Sequence, residues 1–365
     1  MNITHIVEAS ATGTLSMLAL LANAQAKQNY QVEVIYSIRP ETPENISSLF
    51  SPEVLLTNIQ MYSLPEKIFS LLKIRSRLKE TSPDKVIMHS SFAGFLGRLA
   101  SLGSMRSISY FYIPHCISFM RKDIGTIKKL IFILFEWLAA TKKADYIACS
   151  KSEKTEIIKY IPFRICHLVE NAIDFDSNNT STTKKTFSKT IITVGQIRHQ
   201  KGPREFAEIA QKALSIDPSM RFLWVGDGDL SYKNQLEIAG VTVLGWMAKS
   251  AVLENLSKAD IYLSTSKWEG MPVSLIEATY TGLPLIASGC AGNVDVIENG
   301  STGWIYKSTN EAVERILDIV NNQTMAKAVA ERALDVAKNR FSVDRYVNDM
   351  DNLMGLDNNC TTLQN

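Results

Sequence analysis

Cysteine is scarce in this 365-residue sequence: Cys116, Cys149, Cys166, Cys290 and Cys360, with no C-x-x-C pair among them. The odd count and the missing spacing exclude a disulfide framework and a thiolate metal site, and they make a reducing cytoplasm the expected compartment. No charged segment precedes an apolar stretch at the start, so no signal peptide is expected. Long apolar runs are missing as well. The longest, residues 130–140, is broken by Glu136 and falls short of the roughly 18 residues of a membrane span. A strong charge excess is absent, since the net charge is +2, and this argues against a nucleic-acid binder. There is no G-x-G-x-x-G, no P-loop and no G-x-S-x-G. A dinucleotide-dependent dehydrogenase is therefore disfavoured, and no Ser-His-Asp hydrolase can be argued.

Hydrophobic residues make up 45% and charged residues 21%, the balance of a globular protein long enough for two domains. Charge is uneven along the chain: residues 1–170 carry 20 Lys and Arg against 14 Asp and Glu, the remainder 19 against 23. Two surfaces with different partners are expected. A strand–turn–helix rhythm repeats through both halves. Residues 3–7, 31–36, 85–88, 107–112 and 145–149 read as strands, with a small-residue turn at 10–14 and helices over 15–27 and 92–102. A polar stretch over 175–187 reads as a linker. The cycle restarts with strands at 190–194, 221–225, 241–244, 261–263 and 285–287. The expected architecture is α/β, two facing Rossmann-like doubly wound parallel-sheet domains with an inter-domain cleft. The expected boundaries are 1–174 and 188–340, and the polar tail from about Gly355 is expected to be disordered.

In such sheets ligands gather beyond the carboxyl ends of the strands, so the segments after each strand carry the candidates. In Trp268-Glu-Gly-Met-Pro-Val-Ser-Leu-Ile-Glu-Ala278, Glu269 sits in a loop with Gly270 and Pro272, and a helix begins near Ser274. The open N–H groups of that first turn and the helix dipole suit a diphosphate. Glu269 and Glu277 are placed to accept hydrogen bonds from hydroxyl groups. Equally weighted is a capping box, in which Glu277 only bonds the Ser274 amide. The segment 194–202 carries Gly195, Arg198 and Lys201, cations able to hold a diphosphate or solvated surface charges. Asp227 and Asp229 form a D-x-D pair, but the flanking glycines favour an ordinary turn and no metal is predicted. His115 ends a strand, as a proton shuttle or as a satisfied structural group, and His89 is a weaker case of the same kind. Thr12, Gly13 and Thr14 put amides at a helix start. Residues 66–79 and 121–143 are basic and amphipathic, suited to an anionic membrane face or to core packing.

These pieces in this order resemble the retaining glycosyltransferases of family 4, with the GT-B fold, over nearly the whole chain. Glu269 to Glu277 matches the family's E-x7-E motif, followed by the G-x-P of Gly282–Pro284. Residues 195–202 match its phosphate loop, 226–228 its turn and 292–303 its late glycine loop with Asp295. Residues 171–174 match its hinge, with Ala172 in place of Gly. The resemblance implies that Lys201 binds the donor diphosphate and neutralises the leaving group. It gives Glu277 the ribose, and Glu269 with Gly270, Met271, Pro272, Val273 and Ser274 the donor sugar. Gly195 and Arg198 join the donor side, and residues from Gly245 to Met247 lie near the base. His115 and the loop of Thr12, Gly13 and Thr14 serve the reacting sugar and the acceptor. The family usually needs no metal, and its C-terminal helix, here about 341–354, crosses back to the first domain. The sequence departs at Gln196, where the family has Arg. The implied activity is transfer of a hexose or N-acetylhexosamine from a nucleotide sugar, UDP-linked foremost, without a cofactor. The implied acceptor is a polyprenyl-diphosphate-linked saccharide of bacterial surface polysaccharide synthesis, at the inner face of the cytoplasmic membrane. Two other readings stand beside it: a nucleotide-sugar epimerase of the same architecture, and an inactive binding subunit of a polysaccharide assembly complex.

Overall fold

A computed structural model describes residues 1–10, 12–103, 108–174 and 187–356. The chain divides into two units, Met1–Asn171 together with Val343–Asn365, and Ala172–Ser342. The expected linker 175–187 falls, all but Phe187, outside the described residues, as do Ser107, Cys360 and the tail beyond residue 356.

In the first unit the elements follow as β1 (Asn2–Val7), α1 (Thr12–Lys27), β2 (Gln31–Tyr36), β3 (Leu55–Asn58), α2 (Leu64–Thr81), β4 (Lys85–His89), α3 (Ser91–Ala100), β5 (Ser109–Ile113), α4 (Thr126–Ala139), β6 (Asp145–Ala148), α5 (Lys151–Tyr160) and β7 (Cys166–Leu168). The strands form one sheet in the order β3-β2-β1-β4-β5-β6-β7, every pairing parallel. Central strands such as β1 and β4 are buried on both faces, which is why they read as apolar runs rather than alternations. Caps set several helix starts. Ser63 and Glu66 close a capping box at α2, and the Ser150 hydroxyl accepts from the Glu153 amide at α5. The last helix among the described residues, Val343–Met354, belongs to this unit. It buries Tyr346, Met350 and Met354, Asp351 accepts from Gln28 at 2.7 Å, and Arg345 donates to the carbonyls of Glu170 and Asn171.

The second unit repeats the plan: β8 (Thr190–Val194), α6 (Pro203–Ile216), β9 (Arg221–Val225), α7 (Leu230–Ile238), β10 (Val241–Gly245), α8 (Lys249–Lys258), β11 (Ile261–Ser264), α9 (Val273–Tyr280), β12 (Leu285–Ser288), α10 (Asn293–Val296), β13 (Trp304–Tyr306), α11 (Thr309–Asn321) and α12 (Gln323–Arg340). Its parallel sheet runs β10-β9-β8-β11-β12-β13. Under α6 the rings of Phe206, Phe222 and Trp224 meet edge to face, with centroids 5.9 and 5.2 Å from Phe206. Packing of that kind contributes about 0.5–1.5 kcal/mol per pair beyond area burial.

Three strands escape the sequence reading, β3, β7 and β13, and each is the edge of its sheet. Edge strands are short, and β3 and β7 bury none of their residues fully, so their apolar signal is weak. One helix start is also corrected: α1 begins at Thr12, inside the expected turn, whereas α9 begins at Val273, next to the expected Ser274, with Pro272 as its cap.

Candidate functional site

Both sheets reverse strand order at their first strand, between β1 and β4 and between β8 and β11. The loops leaving those strands therefore diverge and open a crevice at the carboxyl ends. In the second unit the loops after β8 and β11 are laced together there. The Lys267 amide donates to the Gln200 carbonyl at 2.7 Å, the Thr265 hydroxyl to the Lys201 carbonyl at 2.8 Å, and the Gln200 side chain to the Trp268 carbonyl at 2.9 Å. Gly202 is where they touch most closely. Its φ is +67°, and a Cβ there would stand 2.0 Å from the Thr265 carbonyl oxygen, so no other residue fits.

Glu269 is the hub of this lacing. It is buried, and its Oε1 accepts from Lys201 Nζ at 2.7 Å and from the Ser266 hydroxyl at 2.8 Å, while Oε2 faces Gln200 Nε2 at 3.2 Å. Its amide donates to the Ala291 carbonyl at 3.0 Å. Gly292 lies so close that a Cβ there would meet the Glu269 Cβ at 2.5 Å. Asp295 in turn accepts from the Gly292 amide at 3.0 Å, which holds the late glycine loop against Glu269. Gly270, Met271 and Pro272 are buried behind it, and Val273 and Ser274 are half-buried at the open first turn of α9.

Ser274 and Glu277 do not form a capping box. Pro272 is the cap, Ser274 lies inside the helix, and its hydroxyl bonds the Tyr262 hydroxyl at 3.0 Å. Glu277 is therefore a turn into the helix, buried, with Lys249 Nζ at 3.6 Å. Burial raises its carboxyl pKa and Lys249 pulls it back. Such a buried carboxylate, free of a capping duty, is available to a ligand's hydroxyls.

Arg198 is exposed, and among the described residues its side chain has neither hydrogen bond nor ion pair. Gly195 bonds the Val225 carbonyl through its amide and takes the Trp224 indole N–H on its own carbonyl. Asp227 accepts from the Gly228 amide and from Lys233, and Asp229 caps α7, so the D-x-D pair is a turn. Gly245 ends β10 at φ +74°, ahead of the exposed Trp246. Sequence reasoning missed Gln200, Ser266 and Lys249. Gln200 sat unread inside the basic loop, and nothing local marked the other two.

In the first unit Gly13 and Thr14 are half-buried in the first turn of α1, and the Thr12 side chain lies outside the described residues. His115 follows β5 at φ +54°, and Cys116 at φ +98°, two non-glycine residues in left-handed conformation. Glu153 holds this bend. Its Oε1 accepts the amides of Cys116 and Ile117 at 2.7 and 2.8 Å, and its Oε2 the amide of Cys149 at 2.9 Å. His115 Nε2 lies 3.1 Å from His89 Nδ1, so the two histidines of the sequence reading are neighbours. Burial lowers the His115 pKa to about 4. Glu8, at the end of β1, is a further buried carboxylate that the sequence reading passed over. Arg39 stands 3.5 Å from it, and burial raises its pKa.

The first unit also carries an apolar face. α4 is inverted: it buries Glu136 and Ala139 and exposes Ile127, Leu130, Leu134 and Trp137. Arg98 pairs with the buried Glu136 at 2.6 Å, and Tyr146 joins them. α2 likewise exposes Leu64, Ile68, Phe69 and Leu72. The core-packing alternative accordingly fails along most of the apolar residues of α4, whereas α2 keeps Ile74 and Leu78 in the core. Among the described residues no helix is long and apolar enough to cross a membrane.

Known proteins match this chain along most of its length. Residues 12–177 match the family model Glycosyltransferase Family 4, and residues 174–336 match Glycosyl transferases group 1. An Escherichia coli UDP-Gal:alpha-D-GlcNAc-diphosphoundecaprenol alpha-1,3-galactosyltransferase is 28% identical, over 80% of this chain and 79% of its own. The Escherichia coli O-antigen biosynthesis glycosyltransferase WbnH is 23% identical over 76% of this chain and 78% of its own. Among solved structures, Anabaena Alr3699/HepE in complex with UDP and glucose superposes with a TM-score of 0.78 at 16% identity, over 97% and 99% of the two chains, a likeness of GT-B fold.

Proposed function

The chain belongs to the glycosyltransferases, a family 4 domain followed by a group 1 domain, and from that membership we propose that it moves a hexose or N-acetylhexosamine from a UDP-sugar, with retention, to a polyprenyl-diphosphate-linked saccharide. It works in bacterial polysaccharide biosynthesis. The observation that carries the finer reading is the Lys201–Glu269 pair, 2.7 Å apart where the second sheet reverses order, beside the open first turn of α9. In this reading Lys201, Arg198 and the amides of residues 270–274 take the donor diphosphate. Fixed positive charge there stabilises the departing diphosphate as the sugar becomes cationic. The two cations do the neutralising that a metal would otherwise do, so transfer is expected to persist in EDTA. Glu277 receives the ribose hydroxyls and Glu269 those of the donor sugar, with Gly195 lining the diphosphate loop. Gly245 and Trp246 lie beside the base. The first unit takes the acceptor, with His115 and the loop of Thr12, Gly13 and Thr14 at the reacting sugar.

The inverted α4, with α2, supports docking of the first unit on the anionic inner face of the cytoplasmic membrane, where a lipid-linked acceptor resides. Lys67, Lys73, Lys128 and Lys129 lie among the exposed apolar residues, as an interfacial helix face requires. The test is transfer from UDP-galactose and other UDP-sugars to synthetic polyprenyl-diphosphate N-acetylglucosamine, with the anomeric configuration of the product read by NMR. An α-linked product that forms with wild type and not with Lys201→Ala is expected. Interconversion of free UDP-sugars without acceptor would replace transfer by epimerisation. Leu130→Glu with Leu134→Glu should abolish flotation with phosphatidylglycerol vesicles and leave transfer to a short-chain acceptor intact.

A further inference from the structure

Behind His115 the first unit buries a chain of polar side chains in hydrogen-bond contact. His115 Nε2 lies 3.1 Å from His89 Nδ1, His89 Nε2 lies 3.0 Å from His5 Nδ1, and His5 Nε2 lies 2.8 Å from Gln25 Oε1. The rings stack, with centroids 5.2 and 5.4 Å apart. His5 is on β1 and His89 on β4, partners across the strand-order reversal, and Gln25 is near the end of α1. His5, His89 and Gln25 are fully buried, and His115 alone is partly open. The nitrogens face each other at hydrogen-bond distance.

We infer that Gln25, through His5 and His89, fixes His115 as its Nε2–H tautomer and leaves His115 Nδ1 as a bare lone pair for a sugar hydroxyl. The argument is one of counting protons. Burial holds all three rings neutral, so each has one N–H and one acceptor. A contact between two ring nitrogens then needs the proton on one side only, and one end of the chain decides every link. Gln25 Oε1 lies 2.8 Å from His5 Nε2 and Gln25 Nε2 is buried without a hydrogen-bond partner; in this orientation of the amide His5 Nε2 carries the proton and His5 Nδ1 accepts. His89 Nε2 therefore donates and His89 Nδ1 accepts, and His115 Nε2 donates. Reversing Gln25 would reverse all three rings and turn His115 Nδ1 into a donor. A hydroxyl approaching Nδ1 donates its own proton in the first case and is met by an N–H in the second. Gln25, His5 and His89 are thus positioning residues that act through His115, while Glu153 fixes the backbone that aims it.

The inference rests on the reading that His115 serves the transfer site, and the experiment separates the two. Protein labelled with 15N-histidine has only five such residues, and long-range 1H–15N spectra at pH 7 identify each tautomer, with His115→Gln assigning the signal in question. A single Nε2–H form of His115 in the free wild-type protein is expected; an Nδ1–H form or an even mixture overturns the proposal without touching the reading. Gln25→Leu should mix the tautomers of His115 and lower kcat by roughly tenfold or more at unchanged donor KM. Gln25→Glu, which keeps an acceptor oxygen at that reach, should restore the Nε2–H form and most of the rate. Gln25→Leu with mixed tautomers and undiminished kcat would show the chain to be structural. Full transfer by His115→Ala would instead refute the reading of His115.

Discussion

The two units repeat one strand order, but where that order reverses they carry opposite chemistry. In the second unit the crevice is ionic: Lys201 against Glu269, Lys249 near Glu277, and the Arg198 side chain exposed without a partner among the described residues. Glycines bring its loops into backbone contact. In the first unit the same position is filled by three neutral imidazoles in file, and the bend at its mouth is held by a buried carboxylate rather than by glycine. On the function proposed above, the difference follows from what each crevice would meet. A diphosphate carries charge, which open amides and fixed cations offset at little cost. A sugar hydroxyl is neutral and is recognised by which partner holds the proton, and a buried neutral chain settles that without a burial penalty for charge.

Placing a charge in the neutral file is the severest way to break this comparison. His89→Lys buries an ammonium beside two imidazoles and should cost about 3–5 kcal/mol of stability, read by urea denaturation. The same substitution at exposed His199 should cost almost nothing. An unchanged midpoint for His89→Lys would mean that the file is hydrated. Removing a charge from the ionic crevice should spare the fold and stop the chemistry. Lys201→Ala is expected to lower kcat by roughly 10²–10³-fold, measured as UDP release, with native circular dichroism. A variant that keeps its rate refutes the role given to Lys201. Glu277→Gln should raise the KM for the donor by about tenfold or more, as a charge-assisted hydrogen bond weakens, with less effect on kcat; a kcat effect alone would move Glu277 to the reacting sugar.

Acid is the gentlest probe. The His5 and His115 pKa values lie near 4 when folded, below the ordinary 6.5, and His89 is lowered as well. The unfolded chain thus takes up protons first. The stability these rings contribute is complete above pH 6.5 and is lost as pH falls from there toward 4. Glu8 and Glu153, whose carboxyl pKa values burial raises, work in the opposite sense and make the net slope shallow. Amide exchange in β1 and β4 should accelerate over this window ahead of β8 and β11, and equal acceleration would remove the contrast.

Legibility in the sequence followed burial and locality. Strands such as β2, β8 and β9 were marked to the residue, because each is rich in β-branched or aromatic residues and mostly buried. The edge strands β3 and β7 were invisible for the converse reason, and β13, buried at Trp304 and Tyr306, is only three residues long. The segments around Gly195 and Glu269 stood out because glycine, proline and charge just after an apolar run are local signals. Ser266 left none, since a serine in a polar loop is unremarkable until its hydroxyl is seen on Glu269, and Lys249 left none, since its partner Glu277 lies on another element. Ser274 misled: the spacing S-x-x-E invites a capping box, but Pro272 takes the cap and Tyr262, twelve residues away, takes the hydroxyl.

By itself the sequence determined that the chain is α/β, where most buried strands run, and which loops gather glycine, proline and charge beyond the strands. These depend on residues within a turn or two of each other. The tertiary structure alone decided that His5 meets His89 across 84 residues, that α4 turns its leucines outward around a buried Glu136, and that one carboxylate, Glu153, holds the bend at His115. Such pairings depend on strand order and on which helix face meets the sheet. Those are outcomes of global packing, in which every buried polar group must find its partner wherever along the chain it lies.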